Sequence, residues 1–228
     1  MATVEDVIQE INEEIDLPGF SATRILRLIN RGMLVIAAGR FREFPEIWEI
    51  CLPELEAQTG VSTTASVAYC SMPSDYHKKL MWCTTSANDY RIKVLKSLSH
   101  LKRIEPKLDK SGAIRWVAVV GSNVYYQRVP SSAETLTLHY FKKPTTLSFG
   151  DTISELPDHL AVPLLKHYCL AEMYRVKDQA KPEVENETAP KQFHLNEFRR
   201  YLGELAAFIG PYTDDVSRPV DRLEEYYG

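Results

Sequence analysis

Apolar residues near the N-terminus recur at three- and four-residue spacing: Val4, Val7, Ile8, Ile11 and Ile15, interleaved with Glu5, Asp6, Glu10, Glu13 and Glu14. This spacing predicts an amphipathic helix that Thr3 can cap and Leu17-Pro18-Gly19 ends. A second stripe, Ile25, Leu28, Ile29, Met33 and Ile36, predicts another helix behind Ser21, with Arg24, Arg27 and Arg31 on its outer side. Gly32 and Ala37 leave room there for a close neighbour, although glycine weakens a helix. Short helices with one apolar stripe each need partners from elsewhere in the chain.

After Phe44-Pro45 the helical period stops, and Ile47 to Leu52 reads as a short strand or a packing loop. Small polar residues dominate from Thr59 to Ala65. Ser66 to Cys70, Leu80 to Thr84 and Tyr90 to Val94 are short candidate strands, joined by the turn-rich Met72-Pro73-Ser74-Asp75-Tyr76 and Ser86-Ala87-Asn88-Asp89. Leu95, Leu98 and Leu101 suggest a short helical turn under the sheet. The strongest β signal lies beyond it. Arg115 to Val120 and Val124 to Val129, rich in valine and aromatics, flank Gly121-Ser122-Asn123 and predict a hairpin. Thr135 to Phe141 alternates, with Leu136, Leu138 and Tyr140 on one face. Leu156-Pro157-Asp158 then opens a helix to Val176, with Leu160, Leu164, Tyr168, Ala171 and Met173 near one side and Pro163 close to its start. Asp178 to Gln192 has linker composition. Leu195, Phe198, Leu202, Leu205 and Ile209 keep a helical spacing that Gly210-Pro211 ends.

This order predicts an α+β protein: a helical bundle made by the N- and C-terminal helices, with an inserted, mostly antiparallel β module. The expected divisions are residues 1–58 and 151–210 for the bundle, 59–150 for the β module and 211–228 for an extended tail.

Composition narrows the function classes. A chain of 228 residues with 44% hydrophobic and 25% charged residues can bury a substantial core in water. No apolar run approaches the roughly 20 residues of a membrane span, and the acidic N-terminus is unlike a signal peptide, so no membrane partner is expected and synthesis is placed in a cytoplasm. Cys51, Cys70, Cys83 and Cys169 lack paired ligand spacing and read as buried thiols. The net charge of −4 argues against broad nucleic-acid affinity.

Chemistry is sparse. The ten glycines are dispersed, without a phosphate-binding loop, and no H-E-x-x-H, C-x-x-C or G-x-S-x-G occurs. Asp75 and His77 stand close enough for an acid–base pair but read better as surface polar residues, and His159 and His167 lie too far apart on one helix to ligate one metal together. No catalytic residue, metal or cofactor is therefore expected, and the protein is read as a non-enzyme. The basic set Arg91, Lys93, Lys96, Lys102 and Arg103, near Tyr90 and Trp82, offers a subunit contact or, as the alternative function, a nucleic-acid-binding module. The segment from Tyr212 to Gly228 carries five acids against Arg218 and Arg222, with Tyr212, Tyr226 and Tyr227 as possible anchors on a partner.

The order of features is more telling than any one of them. Met72-Pro73-Ser74-Asp75-Tyr76 enters the β region, Ser111-Gly112 leads into Trp116 to Val120, and Gly121-Ser122-Asn123-Val124-Tyr125-Tyr126 follows. Val129-Pro130, the strand Leu136 to Tyr140 with Lys143-Pro144, and Leu156-Pro157-Asp158 before the helix carrying Ala171-Glu172-Met173-Tyr174 complete the series. In this series the chain resembles the head-to-tail adaptor, or connector, proteins of tailed bacteriophages. It departs from them at Gly112-Ala113-Ile114, where a proline is expected, and after Pro211. The resemblance implies a structural virion component at the head–tail interface: a homo-oligomeric, dodecameric ring on the phage portal protein. Such a ring extends the DNA channel, lets DNA pass without sequence-specific binding and docks tail or nozzle proteins. Portal or partner docking would fall to Tyr212, Arg218, Arg222, Tyr226 and Tyr227.

Overall fold

The computed structural model describes residues 1–14, 20–39, 50–180 and 188–210. The expected helix stop at Leu17-Pro18-Gly19, the break at Phe44-Pro45 and the tail from Tyr212 to Gly228 lie outside the described residues, as does part of the expected linker. The chain divides into two compact units, Met1–Leu55 with Pro144–Gly228, and Glu56–Lys143.

In the helical unit, α1 spans Val4–Glu14 and buries Val4, Val7 and Ile11. Its first turn is closed reciprocally: the Asp6 N–H donates to Thr3 Oγ1 at 3.2 Å, and the Thr3 N–H donates to Asp6 Oδ2 at 2.8 Å. Helix α2, Ala22–Ala38, starts where Ser21 accepts from the Arg24 N–H and ends at Gly39, whose φ of 66° is the left-handed conformation that glycine adopts freely. Gly32 has no spare room. A Cβ there would lie 2.8 Å from the Tyr168 ring and 3.1 Å from Leu165, so its cost in helix propensity is offset by a close approach.

The two longer helices are the α4 helix Asp158–Ala180 and the α5 helix Thr188–Ile209. Pro157 accepts from the N–H groups of Leu160 and Ala161, which fixes the start of α4, and the helix continues through Pro163. Leu160, Leu164, Leu165, Cys169, Leu170 and Met173 are all buried, more of the circumference than a single stripe supplies, because α4 packs against α1, α2 and α5. Helix α5 begins seven residues before Leu195, with Pro190 in its first turn, where a missing N–H costs least. Asn30 of α2 pins the segment before α4: its Oδ1 accepts from the Leu147 N–H at 2.7 Å, and its Nδ2 donates to the Leu147 carbonyl at 3.0 Å.

The other unit is a seven-stranded sheet of β1 (Glu56–Ser62), β2 (Tyr69–Ser71), β3 (Tyr76–Thr85), β4 (Asn88–Leu95), β5 (Trp116–Val120), β6 (Asn123–Tyr126) and β7 (Thr135–Lys142), in the order β1-β7-β3-β4-β5-β6-β2. The outermost strands β1 and β2 approach one another, so the sheet nearly closes into a barrel. Strand β4 runs parallel to β5, and the chain crosses between them through α3, Leu98–Ile104. The other pairings are antiparallel. Leu80, Cys83, Ile92, Val117, Val124, Tyr126, Leu136, Leu138 and Tyr140 fill the interior, while Leu101 of α3 packs with Leu108 and Ala118.

This corrects the expected architecture of a bundle of N- and C-terminal helices holding a mostly antiparallel module. The sheet is mixed, has seven strands and is almost a closed barrel with its own helix. Helix is also unevenly placed: helices of 23 and 22 residues follow the sheet, against 11 and 17 before it. The physical reason is a long-range pairing. Strand β1 reads Glu-Ala-Gln-Thr-Gly-Val-Ser, poor in β-formers, and is a strand because it pairs in register with β7 from Glu56↔Phe141 to Ser62↔Thr135.

Candidate functional site

The basic residues singled out above are dispersed over three elements of the sheet unit. Arg91 and Lys93 lie two apart on β4 and share its outer face, whereas Lys96 follows the strand and Lys102 and Arg103 occupy the last turn of α3. Two cations in the last turn of α3 are a placement that helix electrostatics favours without any ligand. Lys110 pairs with the buried Glu105 carboxylate at 3.0 Å.

Around Arg91 the outer face of the sheet is an ordered ladder. Trp82 of β3 stacks on His139 of β7 with ring centroids 3.3 Å apart and planes at 19°, and the Arg91 guanidinium sits 4.4 Å from the Trp82 ring centroid. Because β3 lies between β7 and β4, His139 and Arg91 meet the indole from opposite sides. Both faces of Trp82 are thereby taken, and no face remains for a base to stack on. Burial, helped by the Arg91 charge, holds His139 below the usual histidine range, so the ladder carries one cation. Tyr90 is committed as well, donating its hydroxyl to the Ile114 carbonyl at 3.1 Å.

Asp75 and His77 do not form an acid–base pair. Asp75 Oδ1 accepts a 2.6 Å hydrogen bond from Tyr140, whose hydroxyl also lies 3.1 Å from Thr59 Oγ1. His77 is pushed down by burial and by Lys78 and Lys143, which suits a neutral ring. His159 packs edge-on to Phe208, away from the surroundings of His167.

A cluster that the sequence did not suggest lies between α1, α4 and α5. His167 and His194 face each other with their Nδ1 atoms 3.0 Å apart, so one ring must donate and the other accept. Glu14 Oε1 lies 3.5 Å from His194 Nε2, and Lys166 bridges Glu10 at 2.9 Å and Glu14 at 2.8 Å. Tyr201 stacks on His167, and Tyr174 on His194. Burial lowers both histidines, with Glu14 and Glu197 opposing and Lys166 reinforcing the shift. The pair is 27 residues apart and on separate helices, so no spacing rule finds it. Its groups are spent on one another, and among the described residues no trio of His, Cys, Asp and Glu is placed to hold a metal ion.

No described helix is long and apolar enough to cross a membrane. The partner-docking residues Tyr212, Arg218, Arg222, Tyr226 and Tyr227 lie outside the described residues. No curated protein matches the chain. The family model described as SU10 adaptor protein matches residues 2–222, and the chain belongs to that family of structural phage adaptors.

Proposed function

We propose that this SU10 adaptor forms a closed, dodecameric ring on the phage portal, continuing the DNA channel and giving tail or nozzle proteins their docking platform. The observation that carries this reading is the family match over residues 2–222, because it spans both compact units rather than one module. A closed ring needs two different, complementary faces on each subunit. The protein acts through these contacts, without chemistry, and belongs to the head–tail interface of the virion. DNA passes through without sequence-specific binding. The nucleic-acid-binding alternative loses its stacking platform, since Trp82 is covered by Arg91 and His139.

The test is electron microscopy of the full chain mixed with the portal of its phage. Closed rings on portal particles are expected, and bare portals at saturating protein would overturn the reading. The acidic segment with Tyr212, Arg218, Arg222, Tyr226 and Tyr227 serves as a docking arm in this scheme. Removing residues 212–228 is expected to weaken portal binding at least tenfold with an unchanged melting temperature, about 1.4 kcal/mol of binding. Unaltered binding after truncation removes the arm from the scheme.

A further inference from the structure

The helical unit carries two surfaces of opposite charge on neighbouring helices. Helix α1 has five acids and no base, whereas α2 has three arginines and no acid. Some of these charges are used internally: Glu10 and Glu14 hold Lys166, Asp6 closes the first turn, and Arg24 sits over Phe20. Glu5 accepts from the Gly150 N–H, Glu13 from Gln9 Nε2, and Arg31 pairs with Glu172, while Glu13, Arg27 and Arg31 stay exposed; each set surrounds an apolar feature.

On α1 that feature is a groove of about 530 Å³ lined by Glu5, Ile8, Gln9, Asn12, Glu13, Ala22 and Phe149. Ile8 is off the buried stripe of Val4, Val7 and Ile11, and Phe149 is 51% exposed, so the groove has an apolar floor under an acidic rim. On α2 the feature is a ridge. Arg27, Arg31 and Leu34 recur at four and three residues along the solvent side, with Leu34 45% exposed. Arg27 has no partner among the described residues, and Arg31 remains 57% exposed while reaching Glu172. Along α2 the ridge begins at Arg27, five residues or about 7.5 Å beyond Ala22, and reaches Leu34, twelve residues or about 18 Å beyond it, at 1.5 Å per residue.

We infer that the α2 ridge of one subunit seats in the α1 groove of the next, Leu34 entering the apolar floor and Arg27 meeting the Glu13 rim. The occupant is a second copy of this chain because the two surfaces are opposite in charge and each carries an apolar centre, Ile8 with Phe149 on one and Leu34 on the other. Groove and ridge are separate surfaces of one subunit, so in the ring each contact runs head-to-tail, the ridge of one subunit in the groove of the next. This rests on the ring reading above and names its subunit contact.

Charge reversal tests it on the full chain by sedimentation velocity, with electron microscopy on portal particles if the free chain is monomeric. Arg27→Glu and Glu13→Arg are each expected to weaken assembly at least tenfold, and an equimolar mixture of the two to restore it, because alternating subunits regain opposite charges at every contact. Leu34→Asp is expected to abolish assembly with the monomer's melting unchanged, since the side chain is exposed. Wild-type rings together with unaltered assembly of all three variants would overturn this contact and leave the ring standing. Absence of any closed wild-type assembly, with or without portal, would overturn both.

Discussion

Gln127 in the sheet unit and Lys166 in the helical unit answer the same problem with different partners. Gln127, 1% exposed, spends its carboxamide on the main chain: Oε1 accepts from the N–H groups of Arg115 and Trp116, and Nε2 donates to the Ala113 carbonyl. Thr63 likewise bonds the backbone of Glu134 in both directions. Lys166 instead ties α4 to α1 through two carboxylates, and Glu172 on α4 receives Arg31 from α2. Strands that end or shift register leave backbone groups unpaired, and a neutral side chain can satisfy them; helices satisfy their own backbone, so polar side chains between them pair with one another. The sheet should therefore be sensitive to loss of shape-specific neutral groups, and the helices to pH and salt.

The largest expected effect tests the sheet side. Gln127→Leu orphans two N–H groups and a carbonyl and should cost about 3–9 kcal/mol, at about 1–3 kcal/mol for each group, read from urea denaturation of the full chain. A cost under about 1 kcal/mol would mean that the backbone finds other partners. On the helical side, Gly32→Leu should cost about 1–3 kcal/mol by driving into Tyr168 and Leu165. Hydrogen exchange localises the damage, with α2 and α4 losing protection first.

The pH prediction follows from the sign of the histidine shifts. His167 and His194 have folded values below the ordinary one of about 6.5, so the unfolded chain binds protons first as pH falls. Their contribution is fully present above that value and is lost as pH drops below it towards the folded values. A second proton on the pair would leave two donors facing each other at 3.0 Å. His77 and His139 act with the same sign in the sheet. The comparison is thus sharpened by the His167→Gln, His194→Gln double variant, whose amides can still pair when neutral. Between about pH 7 and about pH 5 it should lose less stability than the wild type, and equal losses would assign the acid sensitivity to the sheet histidines. The smallest effect is that of Lys166→Met, about 1 kcal/mol and reduced by salt, because Glu10 and Glu14 are partly solvated.

Helix caps and stripes were legible because they depend on residues within one turn: Thr3 with Asp6, Ser21 with Arg24, and the buried Ile25, Ile29, Met33 and Ile36. Strand β7 was legible from its alternation, which the buried Leu136, Leu138 and Tyr140 match. Strand β1 was not, since Gln58, Thr59 and Gly60 carry no β signal until β7 supplies their hydrogen bonds. Of the basic set, the sequence located Arg91 near Trp82. It did not show that the guanidinium closes the indole to other ligands.

By itself, then, the sequence determined the amphipathic N-terminal helices, the alternating strand, the start of α4 at Pro157-Asp158 and the order of features that marks a phage adaptor. Tertiary structure alone decided the parallel joining of β4 to β5, the near closure of the sheet, the fit of Tyr168 against Gly32 and the meeting of His167 with His194. The reason is range. Periodicity and capping are set by neighbours a turn away, whereas strand direction, sheet closure and side-chain pairing depend on contacts such as Asn30 with Leu147, 117 positions apart, which no local pattern encodes.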